Sequence, residues 1–287
     1  MRRSLLSLVA AVAAVIVLAG CTAFPLPGLL PTSAPAKPAV GDCWTTTTAN
    51  AGAWADWRGG GAQSCASTHA LYTYAVGEIR GVSAKSWAVR GEGSTLIPSV
   101  EAKAGDACNP SKLLPHLGWN QQLIQSYFFV PTEAQWKSGA RWVRCDVGLL
   151  AFGTTFGAER FAPLPAKIST LVADTQSDPK RYELCVSSAL PATESGPLDD
   201  PNSKLADCRD SPQWALTGHG PLPDAAGAPF PSSAAASTES DTVCAKFAAD
   251  PGEVWVAYLP SPADWKSGAR EVDCWVGQTE VASGQSV

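Results

Sequence analysis

Apolar and polar residues alternate along Arg141–Leu149, and this period of two predicts a β-strand with one buried face. That face carries Val143, Cys145 and Val147. The same alternation returns near the C-terminus, where the apolar face carries Val272, Cys274 and Val276. We therefore expect two equivalent strands, each directing a cysteine into an apolar core.

Apolar residues at helical spacing precede each of these strands. Before the second strand, Thr238 and Asp241 are typical of a helix start, and Pro251-Gly252 is typical of its end. The apolar stripe between them consists of Val243, Cys244, Phe247 and Ala248. Before the first strand, Ser99–Ala107 predicts a shorter version of the same helix. Its stripe consists of Val100, Ala104 and Cys108.

One passage of the chain occurs twice, as Phe129–Gly148 and Tyr258–Gly277, with a single cysteine at the same place in each copy. This internal repeat predicts two related units. We place the first domain at residues 41–165 and the second at residues 166–287. The predicted fold class is α+β, with two related small domains, each an antiparallel sheet with one disulfide-tied helix.

An even number of cysteines follows Cys21, which in an exported chain predicts a disulfide framework. They divide into Cys43, Cys65, Cys108 and Cys145 in the first unit, and Cys185, Cys208, Cys244 and Cys274 in the second. Units that fold separately leave three pairings each. The helix and strand assignments favour Cys108–Cys145 and Cys244–Cys274. The pairs Cys43–Cys65 and Cys185–Cys208 then close the front loop of each domain.

A short turn lies inside each copy of the repeated passage. In the first copy, Thr132 with Gln135 is typical of a helix cap, and Gly139 is typical of a left-handed stop. We expect Trp136 to close the end of the core and Arg141 to bond nearby carbonyls, rather than to bind a ligand. The second copy carries the equivalent residues Ser261, Asp264, Trp265, Gly268 and Arg270.

The N-terminus resembles a bacterial lipoprotein signal. Residues 1–20 combine Arg2-Arg3, the apolar stretch Leu5–Leu18 and small residues directly before Cys21. By this resemblance the chain is cut before Cys21, whose thiol takes a diacylglyceryl group and whose amine takes a fatty acid such as palmitate. The protein would then sit on the outer face of the cell membrane. An ordinary signal peptide or a spanning helix with a chance cysteine is the alternative.

Loss of Arg2-Arg3 with the signal takes the formal charge from −5 to −7. This acidic balance argues against nucleic acid as a partner. Residues 21–40 are rich in proline, which is typical of a semi-rigid tether. In polyproline geometry this tether reaches roughly 60 Å, so the folded part would work close to the membrane.

The segment Ala51–Gly61 is the strongest candidate for binding in the sequence. It places Trp54, Trp57 and Arg58 in a glycine-flanked loop inside the first disulfide ring. Two tryptophans and an arginine on a loop are typical of a platform for a sugar or a peptide. The alternative is that the rings fold back as a lid over a small core.

No residue set in the chain identifies a reaction. The histidines His69, His116 and His219 lie far apart in sequence, and no two have metal-ligand spacing. We expect no metal, no cofactor and no catalytic residues. His69 is the best single catalytic candidate, although a histidine just after a disulfide cysteine is typical of a hydrogen-bonding element of the fold.

Several motifs of the first unit resemble the septum formation family of actinobacterial lipoproteins. They are Gly41-Asp42-Cys43-Trp44, Cys65-Ala66-Ser67-Thr68-His69, and Tyr127–Cys145 with its tryptophan. The resemblance covers most of residues 41–150. The second unit departs at its front, where it reads Tyr182-Glu183-Leu184-Cys185 and Ser211-Pro212-Gln213-Trp214. The resemblance implies a membrane-anchored, extracytoplasmic protein of the cell envelope, and the family name suggests division. It brings no catalytic residues.

The expected function is therefore a non-enzymatic binding or scaffolding module in the cell envelope. Its partner would be an envelope or division protein, or a cell-wall glycan. The competing hypothesis is an enzyme acting on cell-wall polymers, and a third is a carrier of a small apolar ligand. Polar side chains converging on a pocket floor would favour the enzyme, whereas an aromatic patch would favour the binding module.

Overall fold

Two antiparallel sheets organise the part of the chain that this computed structural model describes. The described residues all belong to one compact unit, which begins at Lys37. The described residues are 37–46, 61–82, 98–116, 121–156, 158–188, 197, 200–210, 212–222, 228–231, 233–248, 250 and 253–278. Cys21, Trp54, Trp57 and Arg58 lie outside them.

The first sheet is built around the long strand predicted from the alternation at residues 141–149. Its strands are β1 (Cys43–Trp44), β2 (Leu71–Glu78), β3 (Ile124–Phe129), β4 (Trp142–Leu150) and β5 (Phe161–Ala162). The order is β1-β2-β4-β3, and β5 pairs with the end of β4. The period of two therefore predicted a central strand of this sheet correctly.

The second sheet repeats the strand order of the first. Its strands are β6 (Cys185–Ser187), β7 (Lys204–Ala206), β8 (Trp214–Pro221), β9 (Glu253–Tyr258) and β10 (Glu271–Gln278). The order is β7-β6-β8-β10-β9, so β6-β8-β10-β9 matches β1-β2-β4-β3. The register also shifts at the same place in both sheets, beside Cys145 of β4 and beside Cys274 of β10.

Short helices flank the sheets. They are α1 (Pro98–Ala107), α2 (Glu133–Lys137), α3 (Ile168–Ser177), α4 (Ser233–Cys244) and α5 (Pro262–Ser267). The predicted helix Ser99–Ala107 corresponds to α1, which begins one residue earlier at a proline, a residue that favours the first helical position. The prediction that the second helix starts at Thr238 is wrong. The helix α4 begins at Ser233, because the strong helix formers Ala234–Ala236 extend it.

Four disulfides tie helices and loops to the sheets. Their pairs are Cys43–Cys65, Cys108–Cys145, Cys185–Cys208 and Cys244–Cys274, and they are the pairs that the sequence favoured. The Cα atoms of each pair lie 5.1 to 5.3 Å apart, which is ordinary disulfide geometry. Every bridge joins cysteines of the same half of the chain.

Each sheet buries its cysteine face against its own helix. In the first half, Val143, Cys145 and Val147 of β4 pack with Val100 and Ala104 of α1. Residues beyond 165 join this core as well, namely Leu171 of α3 and Tyr182. In the second half, Val272 and Cys274 of β10 pack with Cys244 of α4 and Trp265 of α5. The domain boundary at 165/166 stays a prediction.

A third apolar cluster holds the two halves together. Leu123 and Leu150 of the first half pack with Trp214, Leu216 and Trp275 of the second. Backbone bonds reinforce the junction, since Gly153 N–H donates to the Leu205 carbonyl at 2.7 Å and Leu205 N–H donates to the Thr154 carbonyl at 2.9 Å. The two sheets therefore share buried surface. Within the described residues, no helix has the length and apolarity to cross a bilayer.

Candidate functional site

The candidate site lies on the face of β4 opposite the disulfide core. There Arg144 and Asp146 alternate with Val143, Cys145 and Val147. The sequence predicts one buried face for this strand, but the structure buries both. Arg144 is only 1% exposed and Asp146 is 0% exposed. Buried charges are costly unless they are paired, so this face requires an explanation.

A chain of polar contacts reaches the buried carboxylate. The Trp44 indole N–H donates to the Thr73 hydroxyl at 2.8 Å, and that hydroxyl donates to Asp146 Oδ1 at 2.7 Å. Arg144 Nη2 lies 2.9 Å from Asp146 Oδ2, within ion-pair distance. Neighbouring strands supply the partners, because Thr73 lies directly opposite Asp146 in the β2–β4 register. Three strands are thereby joined on one face.

Aromatic rings enclose the arginine. The guanidinium carbon of Arg144 lies 3.8 Å from the centroid of the Trp44 ring and 4.3 Å from that of Phe129. A cation over an aromatic face is stabilised by the ring quadrupole, and this effect grows when water is excluded. Trp44 and Phe129 cluster further with Leu71 and Tyr127. The ion pair therefore sits behind an apolar cover.

Burial governs the titration of this pair. It raises the pKa of Asp146 to about 6, while the Arg144 guanidinium and the Thr73 hydroxyl oppose the rise. Burial also lowers the pKa of Arg144, and Asp146 opposes that change. Desolvation is the largest cause for both groups, so the interior penalises the two charges more than they compensate each other. The pair is nevertheless ionised at neutral pH.

The position of this cluster connects it with the predicted binding loop. Strand β1 ends at Trp44, whose ring covers Arg144, and the described chain resumes at Gly61. Gln63 N–H then donates to the Cys43 carbonyl at 2.9 Å, and the disulfide Cys43–Cys65 closes the ring. The described residues that follow the segment 47–60 are thus tied to β1, and β1 is anchored to the buried pair through Trp44.

A comparison with known protein families identifies the family of this chain. The model of the family described as septum formation matches residues 40–274. The chain belongs to the septum formation family. No curated protein and no solved structure gives a significant match. In this family member the match extends across both sheets and contains the eight paired cysteines, whereas the motifs seen in the sequence covered residues 41–150.

The second sheet of this septum formation protein replaces the polar cluster by apolar residues. The matching strand order places Trp275 where the first sheet has Asp146, and Leu216 where it has Thr73. Both belong to the cluster shared between the halves, and Phe156 contacts the Trp275 ring edge-on with centroids 5.8 Å apart. Leu184 and Trp214, from the two motifs that depart from the family pattern, belong to the same cluster, so this part of the second half packs against the first half.

Polar residues remain at the outer end of that second face. Asp273 occupies the place of Arg144 and lies directly opposite His219. Burial raises the pKa of Asp273, and His219 opposes the rise. His219 Nδ1 also lies 3.8 Å from the carboxylate of the exposed Glu271. This row is open to solvent, in contrast to the enclosed pair of the first sheet.

His69 lies next to the first disulfide, as its sequence position suggests. It is buried, its Nδ1 lies 2.9 Å from the Ser67 carbonyl oxygen, and its own carbonyl accepts the N–H of Leu164. These contacts agree with a structural role. Ligand atoms of Cys43, Cys65 and His69 also lie within 4.8 Å of one another, as in a metal site. In the disulfide, however, neither sulfur is a thiolate that could bind a metal.

The repeated turn has the structural role expected from the sequence. Thr132 and Gln135 form a reciprocal capping box, and Gly139 has a φ of 101°. Trp136 is fully buried, and Arg141 donates to the carbonyls of Trp136 and Ala140 at 2.9 and 2.6 Å. The second copy repeats this arrangement with Trp265, Gly268 and Arg270.

Sequence reasoning missed Arg144 and Asp146 as members of a site. Their alternation with apolar residues is also the pattern of a strand with one solvated face. The sequence offered only a weaker signal. Arg144 and Asp146 carry opposite charges two residues apart, in a strand that lies between two others in the sheet. Only the aromatic rings from β1 and β3 make that face an interior one.

Proposed function

We propose that the protein is an extracytoplasmic lipoprotein, anchored to the membrane through Cys21, that acts as a non-enzymatic binding or scaffolding module in septum formation. Membership of the septum formation family supports the cellular role. The signal-like segment 1–20 and Cys21 support the anchor. The thioether-linked diacylglycerol would supply two acyl chains, which is enough for stable membrane attachment.

The enclosed polar network of the first sheet is the observation that supports a binding module. The polar groups of the first sheet bond one another behind Trp44 and Phe129, with Arg144 and Asp146 almost fully buried. Such a network stiffens the sheet from which residues 47–60 extend, and a rigid base suits a recognition loop. We assign recognition to Trp54, Trp57 and Arg58, with an envelope or division protein or a cell-wall glycan as partner.

We infer further that the two halves arose by duplication of one domain. The common strand order, the equivalent disulfides and the register shift beside Cys145 and Cys274 support this inference. The first copy kept the polar cluster. In the second copy Leu216 and Trp275 instead pack against the first half, so its role is structural.

The test is a pull-down from cross-linked envelopes with the lipidated protein. Replacing Trp54, Trp57 and Arg58 together by alanine should weaken capture about thirtyfold, because loss of a binding hot spot costs about 2 kcal/mol or more. The control is Phe152→Ala with Arg160→Ala, which removes an exposed aromatic ring and an exposed arginine elsewhere on the surface. Thermal melting should be nearly unchanged in both variants.

Three results would count against this proposal. Undiminished capture by the triple variant would show that Trp54, Trp57 and Arg58 do not bind the partner. A fall of many degrees in its melting temperature would show that the tryptophans belong to the core. Release of soluble fragments from purified cell wall by the wild-type protein would identify the competing enzyme.

A further inference from the structure

The disulfide Cys43–Cys65 differs from the other three in its exposure. Cys65 is partly exposed and lies between the exposed residues Ser64 and Ala66, whereas Cys43 is fully buried. The six cysteines of the other bridges are all buried, each at most 7% exposed. An external thiolate must reach a sulfur atom to attack it, so Cys65 is the accessible point among the disulfides.

A buried histidine lies beside this disulfide. A ring nitrogen of His69 and the two sulfur atoms lie within 4.8 Å of one another. Because the Ser67 carbonyl can only accept, His69 Nδ1 carries the proton of their 2.9 Å hydrogen bond. The other nitrogen, Nε2, is then a bare acceptor. It is buried and has no hydrogen-bond partner within the part of the chain that the structure describes.

We propose that Cys43–Cys65 is a thiol–disulfide exchange site whose co-reactant is a dithiol, such as an extracytoplasmic dithiol protein. A thiolate of the dithiol attacks the Sγ atom of Cys65, the bond between the two sulfurs breaks, and Cys43 leaves as a thiolate. The second thiol then attacks the mixed disulfide and releases Cys65. The dithiol is oxidised to a disulfide, and Cys43 and Cys65 are reduced by two electrons and take up two protons.

His69 has a defined part in this exchange. Leaving-group stability controls the rate of disulfide cleavage, and a protonated imidazole next to a thiolate stabilises it. Nε2 is the atom that can take up this proton, because Nδ1 already carries one and donates it to Ser67. The positive charge of the resulting imidazolium is shared by the ring, one nitrogen of which lies within 4.8 Å of the Cys43 sulfur, and it stabilises the thiolate as it leaves.

The second half of the chain contains a matched control. Cys185–Cys208 occupies the equivalent front position, and its cysteines are 23 residues apart, against 22 for Cys43–Cys65. Both of its cysteines are buried. The residue four positions after Cys208 is Pro212, where the first copy has His69. One molecule therefore carries the same kind of bridge with and without the accessible sulfur and the imidazole.

The experiment measures the reduction rates of both disulfides in one sample, so that the ratio of the two rates does not depend on the reagent concentration. The full-length protein is treated with dithiothreitol under native conditions, quenched at intervals with N-ethylmaleimide, and mapped by peptide mass spectrometry. We expect Cys43–Cys65 to open at least about tenfold faster than Cys185–Cys208, as exposure and a stabilised leaving thiolate predict. Equal rates, or faster opening of Cys185–Cys208, would overturn the proposal.

The variant His69→Asn isolates the imidazole. The asparagine amide can still donate to the Ser67 carbonyl, but it cannot hold a proton at the place of Nε2. We expect the ratio of the two rates to fall about tenfold in this variant, with little change in melting temperature. An unchanged ratio in a folded variant would overturn the role of His69. If the variant does not fold, the ratio in the wild-type protein still decides the exchange site. The proposed binding function does not enter either measurement.

Discussion

At the scale of single residues, the buried pair of Arg144 and Asp146 is the least expected feature of the molecule. Two charges lose their hydration here, and the attraction between them only partly offsets that loss. The hydroxyl of Thr73 and the rings of Trp44 and Phe129 offset a further part of it. Removing one charge should therefore have a different effect from removing both.

The first prediction concerns Arg144→Met at pH 7. This change removes the counter-charge that holds the pKa of Asp146 down, so the buried carboxyl must take up a proton or stay charged without a partner. The free energy of unfolding should fall by about 3–5 kcal/mol. Methionine fills the slot between Trp44 and Phe129 and packs well on aromatic rings. Adding Asp146→Asn removes the unpaired carboxyl and should restore most of the loss. Urea denaturation of the three proteins measures both effects.

The control for this series is the exposed pair of Glu133 and Lys137, whose charged groups lie 2.7 Å apart. For this pair, the single variants Lys137→Met and Glu133→Gln and the double variant should have additive effects on the free energy of unfolding, because water screens the two charges. A double variant Arg144→Met/Asp146→Asn that is as unstable as the sum of its single changes would contradict the account.

The second prediction follows from the raised pKa of Asp146. Its value in the folded state is about 6, against about 3.9 in an unfolded chain. Between those values the folded protein holds a proton that the unfolded chain releases, so this group favours folding at acidic pH. Its contribution is complete below about pH 4 and is lost as the pH rises through about 6. The change is on the order of 3 kcal/mol.

The comparison with Asp146→Asn isolates this contribution from the other carboxylates. The stability of the variant relative to wild type should rise between pH 4 and pH 7, because only the wild type loses the favourable protonated form. Urea midpoints at several pH values measure the difference. A constant difference across this range would show that burial does not raise the pKa of Asp146.

At the scale of elements, close packing of α4 on the second sheet requires a glycine in β8. A Cβ atom at Gly218 would overlap the ring of Phe247, which follows α4. Gly218→Ala should therefore lower the free energy of unfolding by about 1–3 kcal/mol through overpacking. Chemical denaturation provides the measurement.

The same substitution in α1 should have the opposite sign. A Cβ atom at Gly105 meets nothing within 4 Å. Because glycine weakens a helix interior, Gly105→Ala should raise the free energy of unfolding by about 0.5–1 kcal/mol. Equal effects of the two substitutions would mean that α4 does not pack on β8 as closely as described.

The sequence predicted those elements whose apolar and polar residues follow a regular order over a few neighbouring positions. The alternation around Cys145 and Cys274 specified the central strands, and the repeat limited the disulfide pairing. Burial of Arg144 could not be predicted, because the rings that cover it come from β1 and β3, distant in sequence. The first turns of α4 were missed because an alanine run has helix propensity without an apolar stripe.

At the scale of the whole molecule, two similar sheets have different fronts. The first sheet carries the buried ion pair beside the residues that flank 47–60, whereas the equivalent face of the second sheet is packed into the shared cluster through Leu216 and Trp275. Each molecule would thus present one recognition loop, with the second copy fixing the first in place. The proline-rich tether would let that loop work within roughly 60 Å of the membrane.

In the proposed function, a membrane-anchored module reaches the septum through the loop of its first copy. The most direct test is the septal enrichment of fluorescent fusions in dividing cells, read together with membrane fractionation. The wild type should be membrane-bound and concentrated at the septum. The variant with Trp54, Trp57 and Arg58 replaced by alanine should stay in the membrane fraction but spread evenly, and Cys21→Ala should leave that fraction or remain as an unprocessed precursor. A triple variant as concentrated at the septum as the wild type would contradict the account.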